Sequence, residues 1–190
     1  MKSIRIRAMF RLLAVVAISL FIEVGMHWKE YIFLMNSDYQ KNVVYEQSEI
    51  EYLGWREEGH CLVSEFDSIF YIEELDMNLH NIRIEIQSDQ TIPYTEVFYT
   101  NEEYPVITGE LRILEQQAFK DFIVIDVDSY VKDIRIDLSD LEGIRIENIR
   151  LIFNYVKPDF SFVRVIAINL IYWAYVFLFR LQRPPKYDLE

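Results

Sequence analysis

Two apolar blocks, from about Met9 to Trp28 and from about Phe160 to Leu181, stand near the ends of this chain and limit what it can fold into. Each holds roughly 20 residues, enough at ~1.5 Å rise per residue to cross a hydrocarbon core of ~30 Å. Basic residues flank both on the side away from the middle: Lys2, Arg5, Arg7 and Arg11 at the first, Arg180, Arg183 and Lys186 at the second. Basic flanks stay in the cytoplasm. The two blocks therefore predict, independently, a two-pass protein of the cell membrane with both termini cytoplasmic. The organisation expected is a basic tail over 1–8, a transmembrane helix over 9–31, an extracytoplasmic domain over 32–158, a second transmembrane helix over 159–181 and a tail over 182–190. A cleaved signal peptide would begin in the same way, but no small-x-small site follows the first block. Gly25, His27, Trp28 and Tyr31 follow instead and read as an interfacial aromatic belt.

The stretch between the blocks is acidic. Tyr31 to Asp159 carries 27 Asp and Glu against 10 Lys and Arg, while the rest of the chain holds 4 acids and 9 bases, which together give the net −12. A domain charged −17 repels phosphate backbones, so nucleic acid is excluded as a partner.

Alternation with period two dominates the middle. Ile82–Ile86, Phe122–Val127, Ile134–Leu138 and Ile144–Phe153 alternate apolar and polar residues. Val43–Tyr52, Cys61–Ser64, Ser68–Ile72, Val97–Thr100 and Leu111–Leu114 do so more weakly. Such segments read as half-buried antiparallel strands. Turn residues separate them at Glu58-Gly59, Ser88-Asp89-Gln90, Asn101-Glu102-Glu103 and Leu141-Glu142-Gly143, and no long helical pattern interrupts. The expected fold is an all-β sandwich, specifically a jelly-roll, flanked by two transmembrane α-helices. Pro158 is expected to end the last strand before the second helix.

Polar groups inside the apolar blocks need partners, because a charge in hydrocarbon costs a few kcal/mol or more. Glu23, His27 and Glu30 share one face of the first helix. Arg164 and, deeper, Asn169 lie in the second. Glu23 with Arg164 is the economical pairing, and a structural clamp between the helices is the role expected of it. A contact from Glu23 or Asn169 to a polytopic membrane partner is the alternative.

Motifs of catalysis are absent: no GxSxG, HExxH, CxxC or EF-hand loop, and 5 Gly in all. The single Cys61 has no disulfide partner in the chain and reads as a buried strand residue; neighbouring His60 points to the opposite face. No cofactor is expected. Structural calcium is the one metal the acidic clusters (Asp126 with Asp128; Asp133, Asp137, Asp140; Glu73, Glu74, Asp76) bring to mind, and a solvated acidic face explains them better. Tyrosine and tryptophan beside carboxylates suit sugars, whose apolar faces stack on rings while their hydroxyls meet polar groups. Trp55, in the loop-like stretch GWREEGH, is the first candidate for an exposed ring, with Tyr52, Tyr94 and Tyr99 beside it as glycan-binding candidates.

The segments Phe21–Val24 with His27-Trp28, Asn81–Ile86, Asp133–Leu151 and Asn154–Arg164 carry a resemblance. They are similar to the N-terminal module of large polytopic membrane proteins of Gram-positive bacteria, glycosyltransferase-like and associated with cell-surface glycan assembly: a helix, a galactose-binding-like jelly-roll and a second helix. Those proteins continue with many more helices, so the resemblance carries no catalysis to this chain. It implies a module that contacts glycan or a membrane-embedded partner. The leading expectation is a non-enzymatic, membrane-anchored sandwich that binds or positions cell-surface polysaccharide as accessory to a glycosyltransferase or transporter. A structural subunit without sugar binding and a carboxylate-dependent glycan-processing enzyme are the alternatives.

Overall fold

The computed structural model describes residues 2–157 and 160–181, with side chains from Phe10 to Lys157 and from Phe160 to Leu178. The expected tail over 182–190, the side chains of the basic residues before Phe10, that of Arg180 and the break at Pro158 lie outside the described residues. The chain divides into a helical unit, formed from its two ends, and a β unit over Asn36–Val156.

In the helical unit, α1 (Lys2–Met26) is followed by a short α2 (Trp28–Met35), and α3 (Phe162–Leu181) closes the chain's described part. At ~1.5 Å per residue α1 is about 37 Å long and α3 about 30 Å. The expectation of one straight helix through residue 31 needs correction: the helix breaks at His27, and its two parts are bent by 71°. Among the described residues no single helix is long and apolar enough to cross a membrane; the bent pair Phe10–Met26 with Trp28–Met35 meets the requirement together, and Phe162–Leu178 is apolar but shorter. Hydrogen bonds from Arg164 to Glu23 and from Asn169 to Ser19 set α1 and α3 antiparallel, since the partner advances along α3 as α1 is followed backward.

Among the described residues the β unit holds nine strands: β1 (Val43–Glu46), β2 (Glu51–Glu58), β3 (Cys61–Ile72), β4 (Met77–Ser88), β5 (Thr95–Tyr99), β6 (Arg112–Glu115), β7 (Phe122–Val131), β8 (Ile134–Asp137) and β9 (Arg145–Phe153). All pairings are antiparallel. The hydrogen-bonded order β2-β3-β8-β5-β6 makes one leaf and β1-β9-β4-β7 the other. The leaves join at a corner where β3 meets β9 through Leu62 opposite Ile146 and Val63 opposite Arg145. The result is an antiparallel β-sandwich verging on a barrel. Alternating side chains from both leaves fill one core, including Phe70, Ile82, Ile84, Ile125, Ile136 and Phe153.

Two irregularities shape the leaves. In β2 the register shifts between Leu53 and Trp55. Gly54 sits there at φ +69, and a Cβ on it would come within 2.8 Å of the Asp67 carbonyl oxygen, so only glycine fits. At the chain-end side of the sandwich, the fully buried Asn154 acts as a polar knot: its amide nitrogen donates to the carbonyls of Gln40 and Asn78 at 2.8 Å, and its side-chain oxygen accepts from the His80 backbone at 2.7 Å. Every polar atom of its side chain is thus satisfied inside the fold.

Candidate functional site

The five-stranded leaf turns one face to the core and the other to solvent, and cross-strand register fixes what the outer face presents. Tyr52, Phe70, Ile136, Val97 and Ile113 stand opposite one another in an inward row. One residue along, the outward row reads Glu51, Tyr71, Arg135, Phe98 and Arg112. The next outward row, on the other side of the inward one, is Leu53, Ile69, Asp137, Glu96 and Leu114. Two aromatic rings, two guanidiniums and two carboxylates therefore share a strip of four adjacent strands, β3, β8, β5 and β6.

The polar groups of this strip are held in place by one another. Arg135 donates to both carboxylate oxygens of Asp137, from Nε at 2.8 Å and from Nη2 at 2.7 Å, and Nη2 reaches Asp67 at 3.3 Å. Arg112 pairs with Glu96. Both guanidiniums lie over the Phe98 ring, Arg135 at 5.3 Å and Arg112 at 5.8 Å from its centroid, within cation–π range. Burial holds the Tyr71 phenol above its ordinary pKa, and the carboxylates of Asp133, Glu73 and Glu51 add to this, so it remains a hydrogen-bond donor. Burial also raises Asp137 above the usual carboxylate range, outweighing the opposing pull of Arg135. The hydrogen bond to Asp137 raises Arg135 in turn.

A cleft of about 340 Å³ opens at one end of the strip, lined by Pro93, Tyr94, Glu96, Leu114 and Gln116. The Tyr94 hydroxyl donates to Asp140 Oδ2 at 2.6 Å and accepts from the Asp140 backbone nitrogen at 3.0 Å. The bond to the Asp140 carboxylate holds this phenol above its ordinary pKa. The cleft thus adds the Tyr94 ring and the Gln116 amide to the aromatic strip.

Of the four ring candidates read from the sequence, the structure brings Tyr94 to this face and turns three inward. Trp55 is not in a loop but in the middle of β2, 8% exposed, stacked on Phe70 with ring centroids 4.7 Å apart. The bulge at Gly54 absorbs one residue, so Tyr52 and Trp55 both face the core although they are three positions apart. Tyr52 packs against Phe70 at 6.5 Å and donates its hydroxyl to Glu57, a bond that raises its pKa. Tyr99 packs against the core at the end of β5. Sequence reasoning passed over Phe98, Tyr71, Arg135 and Arg112. The parity of TEVFY and IRID placed Phe98, Arg135 and Asp137 outward, but which strands are neighbours was invisible. Cys61, expected to be buried, is half-buried at the start of β3. Among the described residues no three His, Cys, Asp or Glu side chains converge as a metal site.

The helical unit holds the second candidate set. Glu23 on α1 is fully buried. Arg164 donates to it from Nε at 3.2 and 3.1 Å and from Nη2 at 2.8 Å, and the Ser161 backbone nitrogen donates at 2.7 Å. Ser161 is also the N-cap of α3, its hydroxyl accepting from the Arg164 backbone at 3.3 Å. The carboxylate therefore meets a guanidinium and the positive end of a helix together. His27 Nε2 lies 3.0 Å from Arg164 Nη2, and His27 Nδ1 lies 3.9 Å from Glu30. Deeper in the pair, Asn169 donates to the Ser19 hydroxyl at 2.7 Å. Glu23, His27 and Arg164 are thus brought together, and Asn169 forms a separate bond with Ser19, a residue the sequence reading did not single out.

No protein-family model and no curated protein matches this chain. Among solved structures it is similar to a family 29 carbohydrate-binding module, at 13% identity and TM-score 0.37 over 64% of this chain and 93% of that one. A xylan-binding module is similar at 10% identity and TM-score 0.35, over 61% and 99%. So is an exo-β-1,3-galactanase from Phanerochaete chrysosporium, at 10% identity and TM-score 0.36, over 59% of this chain and 29% of that one. At such scores these likenesses carry no argument about what this chain binds.

Proposed function

We propose that this protein is a membrane-anchored sandwich that binds or positions a cell-surface glycan, as an accessory to a membrane glycosyltransferase or transporter. The observation that carries the glycan reading is the outer strip of the five-stranded leaf: Tyr71 and Phe98 with Arg135 and Asp137 fixed between them, and the Arg112–Glu96 pair beside Phe98. Rings on β3 and β5 stand two strand spacings apart, about 10 Å. That is too far for one sugar ring to cover both, so the strip fits an oligosaccharide lying across the strands. Rings would stack on pyranose faces, and the pre-set guanidinium and carboxylate atoms would take hydroxyls without having to be ordered first. The reading assigns no catalysis to the chain. The jelly-roll character and extracytoplasmic placement of the domain belong to the same proposal, supported by the basic flanks of the apolar blocks and the resemblance to glycan-assembly modules.

The test is glycan binding by the full chain in nanodiscs, scored on an array of bacterial surface polysaccharides. Phe98→Ala and Tyr71→Ala should each weaken binding about 3- to 10-fold, since one ring contact is worth ~0.5–1.5 kcal/mol. Retention of the native far-ultraviolet spectrum excludes misfolding as the cause. Absence of binding to every glycan, or binding indifferent to both substitutions, overturns the reading.

A second reading, a structural subunit that docks on a larger membrane complex, is favoured by one observation. The outward surfaces of α1 and α3 carry exposed Phe21, Ile18, Val163, Ile171 and Phe177. That surface needs lipid or protein around it. Co-purification of a polytopic partner, lost in Arg164→Ala and accompanied by no glycan binding, would favour this reading over the first.

A further inference from the structure

We infer that α2 is an interfacial helix, lying in the headgroup layer of the bilayer with Trp28, Ile32 and Met35 resting on the acyl boundary. The inference rests on the membrane reading above and adds a placement to it. The apolar part of α1, Phe10–Met26, is about 25 Å long, so a helix entering a ~30 Å core at Phe10 comes within about 5 Å of its far edge at Met26. There the chain breaks and turns by 71°. With α1 near the membrane normal, the eight residues of α2 climb only about 4 Å along it, which keeps the whole helix at one depth. Amphipathic interfacial helices bury their apolar face about 5–10 Å into that layer.

The side chains agree with the geometry. Trp28, Ile32 and Met35 occupy positions i, i+4 and i+7, one face of the helix, and are 54%, 54% and 86% exposed. Lys29 and Glu30, both exposed, supply polar groups for the headgroups. Phe21, Ile22 and Met26 of α1, just before the break, are exposed as well, so apolar surface lies on both sides of the bend, which is why lipid, rather than a separate protein, is the occupant. Tryptophan is enriched at this level of a bilayer. The bend is also fastened: His27, at the break, is held to Arg164 at 3.0 Å, and Arg164 is held to Glu23.

The test uses the full chain in phospholipid vesicles whose acyl chains are brominated either near the headgroup or near the bilayer centre. Trp28→Phe and Trp173→Phe, each with Trp55→Phe, leave one reporter apiece; if Trp55→Phe does not fold, Trp55 is kept as a common background. Trp28 should be quenched at least twofold more by shallow than by deep bromines, and Trp173, about 17 Å along α3, more by deep ones. Trp173 quenched with Trp28 unquenched leaves the membrane reading standing and overturns this inference, as does Trp28 quenched best by deep bromines. Both residues unquenched overturns the membrane reading itself and this inference with it.

Discussion

The molecule contains two arginine–carboxylate pairs of nearly the same geometry in two different settings. Arg164 grips Glu23 in the helical unit, and Arg135 grips Asp137 on the outer face of the β unit. Glu23 has no exposed surface and its oxygens are met by Arg164 and the Ser161 amide, while Arg164 keeps 38% of its side-chain surface open. Asp137 and Arg135 keep 15% and 27% of theirs open and flank an aromatic ring. The difference lies in the carboxylates and separates fastening from presentation. A covered carboxylate has spent its hydrogen-bonding capacity on the fold and holds two helices in one register. A partly open one retains atoms that a ligand can reach.

The largest effect expected follows from the covered carboxylate. Arg164→Ala leaves Glu23 without its counter-ion and should destabilise the helical unit more than any other single substitution argued here, read from unfolding in mixed micelles. Replacing both partners with leucine removes the charges together and should cost much less. If Arg164→Ala costs no more than Asp137→Ala, the distinction between the two pairs fails. Gly54→Ala comes next and touches only the β unit. The new methyl would meet the Asp67 carbonyl at a positive φ, so about 2–3 kcal/mol of stability should go. Because Asp67 also faces Arg135 at 3.3 Å, glycan affinity should fall with it while the helical unit stays unchanged.

How much of this was readable beforehand differs between the same two regions. Glu23 and Arg164 stand out because any charge in a greasy segment must find a partner, and few are on offer. Most strands were readable because alternation repeats every two residues. β2 was not: Gly54 interrupts its parity and Arg56-Glu57-Glu58 hides its inward positions, so Trp55 read as a loop ring. β3 was read as two pieces because Glu65, Phe66 and Asp67 are all exposed at its bend, where Asp67 takes φ +60. The Tyr71–Arg135–Phe98–Arg112 row was beyond reach, since each member is local but their adjacency depends on pairing between strands up to 64 residues apart, as at Tyr71 opposite Arg135. The break at His27 was hidden because no proline follows and the nearby Gly25 lies inside α1, one residue before its end.

Tyr94→Phe probes the half-open face with a smaller change. It removes a donor to the Asp140 carboxylate and an acceptor for the Asp140 amide, which should cost about 1 kcal/mol. The native phenol titrates above its ordinary value of 10.0. Its contribution to stability is therefore present below that value and is lost as pH rises through the higher native one. The alkaline titration followed near the phenolate absorbance band should lose a late-titrating group in the variant. An unchanged titration would mean that Asp140 does not hold Tyr94.

Asp137→Asn is the finest test, because here the two pairs should respond with opposite sign. Burial raises the native pKa of Asp137 above 3.8 in spite of Arg135, so the folded protein binds that proton more tightly than the unfolded chain does. Stability linked to this group is then complete below the ordinary carboxylate value and is lost as pH rises through the raised native one. Asparagine imitates the protonated form. The variant should match the native protein at low pH and equal or exceed it at neutral pH, by less than about 1 kcal/mol, in urea unfolding measured across that range. Glu23→Gln should do the reverse at neutral pH, because it leaves the Arg164 guanidinium against a neutral amide and takes the charge from the carboxylate that the Ser161 amide also meets. A neutral-pH loss in Asp137→Asn as large as that in Glu23→Gln would mean that the sheet pair is a fastening too. The atoms proposed to meet sugar hydroxyls would then already be committed to the fold.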